Sequence, residues 1–261
     1  MIDRNQETYQ TPGLVWHYTQ LNKLQPAEQT ILELLQDRLP TMKMLDIGIG
    51  GGRTTQHFSP LAGEYIGIDY SAKMIAACQQ RFVKSPRSMN LQVVDARDMK
   101  QFADDSFDFI LFSFNGIDYV SGVDRLKILS EVARVGKTGC YFCFSSHNLQ
   151  GMAAEFNWRT KLSLNPLKTY VNLVMLGLLN IFNLEITHKQ LETADYLIIK
   201  DESHNFRLQT YYIRPQAQIQ QLKSSFDEIK IYSWQTGLEI INPKELSTNV
   251  DMWLYYLCAI K

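Results

Sequence analysis

Between positions 44 and 53 the chain reads Met-Leu-Asp-Ile-Gly-Ile-Gly-Gly-Gly-Arg, a pattern suited to gripping a ligand with backbone groups. Glycines at 48, 50 and 52 permit backbone angles and close approach that a side chain would block. An apolar strand enters the turn and a helix-like segment leaves it. In open α/β sheets that place, at the carboxyl end of a strand, is where nucleotides bind. A dinucleotide fingerprint would read G-x-G-x-x-G. Counted from Gly48, the third glycine position holds Arg53; counted from Gly50, it holds Thr55. The motif present is D-x-G-x-G-x-G, formed by Asp46, Gly48, Gly50 and Gly52. Two more carboxylates, Asp69 and Asp95, end apolar runs. A carboxylate at a strand end offers a diol two acceptor oxygens in fixed geometry; taken alone, each could equally cap a turn.

Proton-transfer chemistry has fewer candidates. His147 follows an apolar run, and imidazole titrates near neutrality, so it is the candidate general base; its alternative is to hydrogen-bond a loop. Asp118 and Tyr119 either orient a substrate or serve as a helix cap and a packing residue. An N-P-P-Y element is absent. Cys140 and Cys143 have CxxC spacing but lie in a strand-like run. Residues three apart on a strand point to opposite faces, so buried reduced thiols are expected, with no metal site.

The elements that position these residues alternate. Residues 21–39 have a helical apolar period, ended by Pro40. Strands are expected at 42–47, 65–69, 91–95, 107–112 and 139–144, with helices at 54–61, 72–81 (Ser71 as N-cap) and 123–135. Such alternation specifies a parallel doubly wound sheet. The regularity breaks over 147–213, where two helix-like stretches precede a hairpin pairing 196–200 with 206–212. A helix opened by Pro215 follows, then an antiparallel pair, 229–234 with 253–260.

The chain has 261 residues, 45% hydrophobic and 20% charged, with a net charge of −1. No chain-wide basic field points to nucleic acid. The stretch 1–7 is polar and lacks an apolar signal-peptide core. The longest apolar stretch, 171–182, is shorter than the ~20 residues a bilayer span needs. A cytoplasmic chain without stable membrane insertion is expected, and oligomeric state is left open.

The glycine loop, the acidic strand ends, Ser106-Phe107-Asp108 and Arg134-Val135-Gly136-Lys137-Thr138-Gly139 together resemble the motifs of the class I S-adenosylmethionine (SAM)-dependent methyltransferases. Gly136 and Thr138-Gly139 depart mildly from the family's usual turn. The resemblance implies a Rossmann-like, mostly parallel seven-stranded α/β sheet with an antiparallel C-terminal strand. Residues 1–146 and 214–261 would form the core, and 147–213 an inserted substrate cap. It implies SAM as cofactor, held by the glycine loop. Asp69 would take the ribose diol, Asp95 and the Ala96 backbone the adenine edge, and Tyr70 and Met74 its faces. Ser113 and Asn115 would hold the methionine end. Tyr18 or His17 would close the site, or else act as core aromatics. The implied reaction is in-line methyl transfer to O, N or activated C of a small molecule. A lipophilic or quinone-type acceptor is the alternative, as is a SAM-binding protein without catalysis.

Overall fold

The computed structural model describes residues 11–85 and 89–261; the polar stretch 1–7 lies outside them. Helices α1 (Pro12–Gln20) and α2 (Pro26–Leu35) lead into strand β1 (Lys43–Ile47). Then come α3 (Thr55–Phe58), β2 (Glu64–Asp69), α4 (Ala72–Arg81), β3 (Asn90–Val93), β4 (Phe107–Phe112), α5 (Gly122–Val135) and β5 (Gly136–Asn148). The next segment holds α6 (Leu149–Glu155), α7 (Pro166–Phe182), α8 (His188–Thr193), β6 (Tyr196–Ile199) and β7 (Thr210–Ile213). The chain finishes with α9 (Pro215–Leu222), β8 (Phe226–Ser233), α10 (Pro243–Thr248) and β9 (Trp253–Ile260).

The expected doubly wound sheet is present. Its strands run β3-β2-β1-β4-β5 in parallel; β9 pairs antiparallel with β5, and β8 antiparallel with β9. The hairpin is also found, with Ile199 opposite Thr210. Ser71 caps α4 by accepting from the Met74 N–H. The first expected helix is shorter than its apolar period, because Pro26 begins α2 and the turn at 36–38 ends it. The 147–213 segment holds three α-helices where two were expected.

The larger departure concerns β5. Residues 145–148, beyond the expected end of the strand at 144, continue it. They find partners from distant sequence: His147 pairs with Trp253 of β9 and with Tyr212 of β7. β4 stops opposite Phe144, and β7 takes up the edge of β5 beyond it. The segment between β5 and β7 is therefore tied to the main sheet at its far end.

Alternation along the strands sends side chains to two cores. Phe142 and Phe144 of β5, with Tyr256 and Cys258 of β9, face α5. Cys143, Tyr255 and Leu257 face α2 and α3. Cys140 and Cys143 thus lie on opposite faces. A separate cluster of Leu149, Met152, Phe156, Leu179, Leu191 and Tyr212 packs the segment after β5.

Candidate active site

The turn after β1 is built so that its backbone can face a ligand. Gly50 has φ +52°, and its N–H donates to Asp69 Oδ2 at 2.9 Å. The Ser71 N–H donates to Asp69 Oδ1 at 2.8 Å. Burial pushes the Asp69 carboxyl up to about 6, against the lowering effect of these two N–H groups. Each oxygen keeps a further lone pair for a ligand. Helix α1 lies directly on the loop: a Cβ at Gly51 would stand 2.6 Å from the Thr19 nitrogen. That packing brings Tyr18 over Gly50.

A cavity opens at the carboxyl ends of β1, β2 and β4, where the strand order reverses. It encloses about 830 Å³ of empty space, open mouth included. Gly48, Gly50 and Asp69 form one side, Tyr70 and Met74 another. Asp95 and Ala96 lie beyond them, and Ser113 and Tyr18 close the near end. The structure thus brings together nine of the residues expected in the site. Asp95 is bound by Arg97, whose Nη2 lies 2.6 Å from Oδ2. Burial raises the Asp95 carboxyl and the Arg97 bonds outweigh it, so it sits below its ordinary value. Arg97 is the one cation among the described lining residues. Two carboxylates and an already paired cation favour a cationic or neutral polar ligand over a pyrophosphate.

Three of the residues expected to bind the cofactor do not line this cavity. Gly52 has φ +86°, and a Cβ there would stand 2.5 Å from the Phe82 ring, so it shapes the loop from behind. Asp46 is buried and accepts from Thr54 Oγ1 at 2.7 Å and Tyr65 Oη at 2.6 Å. Burial pushes its carboxyl up to about 7 despite those bonds. It borders only a smaller adjoining pocket beside Gly48 and Arg53. Asn115 turns away to His147. Phe114 and Asn115 both have positive φ, +59° and +61°, uncommon for residues with a Cβ. The Asn115 N–H donates to Ser145 Oγ at 2.7 Å, and Arg53 lies 4.8 Å over the Phe114 ring, which together hold the turn.

His147 belongs to a buried polar chain. Its Nδ1 lies 2.9 Å from Asp118 Oδ2, and its backbone N–H donates to the same oxygen at 2.6 Å. Arg125 pairs with the other Asp118 oxygen, which also accepts from Ser146 Oγ at 3.0 Å. The Asn115 amide nitrogen stands 3.3 Å from His147 Nε2, and Asn115 Oδ1 is buried without a partner among the described residues. The ring faces a second cavity of about 810 Å³, lined by Met152, Met175, Leu176, Leu179 and Trp253. Tyr119 joins the two spaces: it lines the first cavity and meets the His147 ring edge-on at 5.9 Å.

Sequence reasoning missed two buried ion pairs. Glu28 binds Arg53, with Nη2 to Oε1 at 2.6 Å, and also accepts from Tyr255 Oη at 2.8 Å. Arg125 pairs with Asp118, and both are fully buried. A signal for each was available. Glu28 shares the apolar stripe of α2 with Ile31 and Leu35, and Arg125 shares that of α5 with Ile128, Leu129 and Val132. A charge on an apolar stripe requires a buried partner.

Residues 45–144 match the methyltransferase domain family. Over 105 residues the chain is 36% identical to a ubiquinone/menaquinone biosynthesis C-methyltransferase of Geotalea daltonii, covering 38% of this chain and 43% of that protein. It is 23% identical over 128 residues to a ubiquinone biosynthesis O-methyltransferase of Hydrogenovibrio crunogenus, covering 49% of this chain and 52% of that one. The chain therefore spans about half or less of the length of these curated relatives. A SAM-dependent methyltransferase from Mesorhizobium loti has the same fold, with a TM-score of 0.60 and 17% identity over 89% of this chain and 97% of that one. The domain match coincides with the strands and loops that build the first cavity, and residues 45–144 accordingly form a methyltransferase domain of the class I SAM-dependent type.

Proposed function

We propose that the chain moves a methyl group from SAM, held in the first cavity, to a small molecule held in the second. The observation that carries this reading is the Tyr119–His147 contact, which places a buried imidazole of one cavity beside the wall of the other. SAM supplies an electrophilic methyl group on its sulfonium sulfur. The residues present fit it: close backbone at Gly48 and Gly50, carboxylates at Asp69 and Asp95, and, among the described lining residues, no lysine for a phosphate. Asp69 would take the ribose hydroxyls, Asp95 and the Ala96 N–H the adenine edge, Tyr70 and Met74 its faces, and Ser113 the methionine end. Gly52, Asp46 and Asn115 would act by shaping and bracing the loops that carry these contacts.

His147 would serve as the proton acceptor. Asp118 holds Nδ1–H, which leaves Nε2 as the basic nitrogen. An acceptor hydroxyl that displaces the 3.3 Å Asn115 contact would pass its proton there. Segment 147–213 would be the substrate cap. The apolar lining from Met152, Met175, Leu176 and Leu179 favours a lipophilic acceptor. Among the described residues, no helix is long and apolar enough to cross a membrane. All four cysteines are buried and free, which suits a cytoplasmic setting.

Calorimetric titration with S-adenosylhomocysteine, with NADH as control, tests the reading. Micromolar binding of the former alone is expected. Asp69→Ala should weaken it by about 1.5–3 kcal/mol, roughly ten- to 150-fold, the range for a charge-assisted hydrogen bond. Absence of binding, or binding of NADH, would overturn the assignment. Tight binding with no methyl transfer to any acceptor tried would favour a non-catalytic SAM-binding protein.

A further inference from the structure

Helix α7 has two apolar faces, and the fold uses one. Of its 17 residues only Leu179 is buried. Its inner face contributes Met175, Leu176 and Leu179 to the second cavity. On the outer face Leu167, Tyr170, Val171, Val174 and Ile181 recur at helical spacing, between 43% and 70% exposed. The preceding turn adds Trp158, Leu162 and a fully exposed Leu164. A continuous apolar stripe in water marks an interaction site, in contrast to singly scattered apolar residues.

Charge identifies what covers it. Residues 156–184 contain Arg159, Lys161 and Lys168 and no Asp or Glu. Lys161 pairs with Glu155, leaving Arg159 and Lys168 at the amino-terminal end of the stripe. A second copy of this chain meeting the stripe with its own stripe would bring no carboxylate to these cations. A surface of anionic lipid neutralises them and takes up the leucines and valines. Trp158 and Tyr170, each with an apolar body and a polar tip, suit the headgroup boundary. At 1.5 Å per residue the helix is about 25 Å long, short of the roughly 30 Å hydrocarbon core. It would therefore lie in the interface plane.

We propose that the outer face of α7 docks the chain onto an anionic phospholipid surface. The helix then separates the bilayer from the second cavity, and a lipophilic molecule needs only to pass α7 to reach His147. The docking itself does not depend on methyl transfer.

Flotation with phosphatidylcholine vesicles, with and without phosphatidylglycerol, tests this. The chain should float with the phosphatidylglycerol vesicles and be released by salt. The combined variant Leu167→Gln/Val171→Gln/Val174→Gln should lose binding at least about tenfold, from the apolar area no longer buried. Lys168→Glu leaves the apolar face whole and should weaken binding to the anionic vesicles about fivefold or more. Its effect reads docking even if the triple variant fails to fold. No flotation of the native chain, or flotation indifferent to Lys168→Glu and to salt, would overturn the proposal. So would a dimer in sedimentation velocity that the triple variant dissociates while vesicles capture nothing, because the stripe would then be a contact between copies.

Discussion

Glu28→Gln tests the ion pair that joins α2 to the glycine loop. The Glu28 carboxylate is fully buried and accepts from Arg53, Ser113, Tyr255 Oη and the Gln25 N–H. A glutamine keeps the shape but loses the charge, leaving the buried Arg53 guanidinium with the Lys23 carbonyl at 3.2 Å, Ser113 Oγ at 3.4 Å and the Phe114 ring, and no carboxylate. Breaking a buried pair from one side costs about 3–5 kcal/mol. At roughly 2–4 °C per kcal/mol for a chain of this size, Tm should fall by about 6–20 °C. Urea unfolding measures the free energy directly. The double variant Glu28→Gln/Arg53→Met should recover much of the loss, because no isolated charge remains. Acid should act similarly. Burial alone would raise the Glu28 carboxyl, but Arg53 outweighs it and holds the group below its usual 4.5. The stability from this pair is thus present above the unfolded value and lost as pH falls through the folded one. Glu28→Gln should lack that acid-side loss. A single-variant cost under about 1 kcal/mol, typical of exposed pairs, would refute the reasoning. A double variant as unstable as the summed singles would do the same.

Asp46→Asn should change the pH dependence of stability in the opposite sense. Burial raises the Asp46 carboxyl from 3.8 to about 7, so its contribution is full below about 3.8 and lost as pH rises through about 7. The gap corresponds to about 4 kcal/mol at most. Between acid and neutral pH the Tm of the native protein should fall through this group while the Asn protein lacks that fall, and parallel curves would count against the assignment. Gly52→Ala forces a Cβ into φ +86° and onto Phe82; a loss of about 1–3 kcal/mol and weaker S-adenosylhomocysteine binding are expected, and an unchanged urea midpoint would contradict it. Once an acceptor is found, His147→Ala should lower kcat by roughly 10²–10⁴. Asp118→Asn should lower kcat with little change in KM; a native kcat in both variants would exclude the pair from proton transfer.

What the sequence alone determined here is local. Glycine spacing from 48 to 52, carboxylates closing apolar runs at 69 and 95, and the strand–helix alternation specify the sheet and the contents of the first cavity. Each of these signals lies within one turn or one strand, where backbone freedom and side-chain period act over a few residues. The tertiary structure decided what depends on distant partners. His147 is in a strand because β7 and β9, some 65 and 106 residues on, pair with it. Asn115 turns from the first cavity because Ser145 and His147 hold it from β5. Glu28 and Arg125 stand on apolar stripes, where sequence shows the charge but not the partner that neutralises it. The apolar stretch 171–182 could be read as core or surface from its composition. Only packing shows that one face lines a cavity and the other meets solvent, because burial is a property of the neighbours and not of the helix.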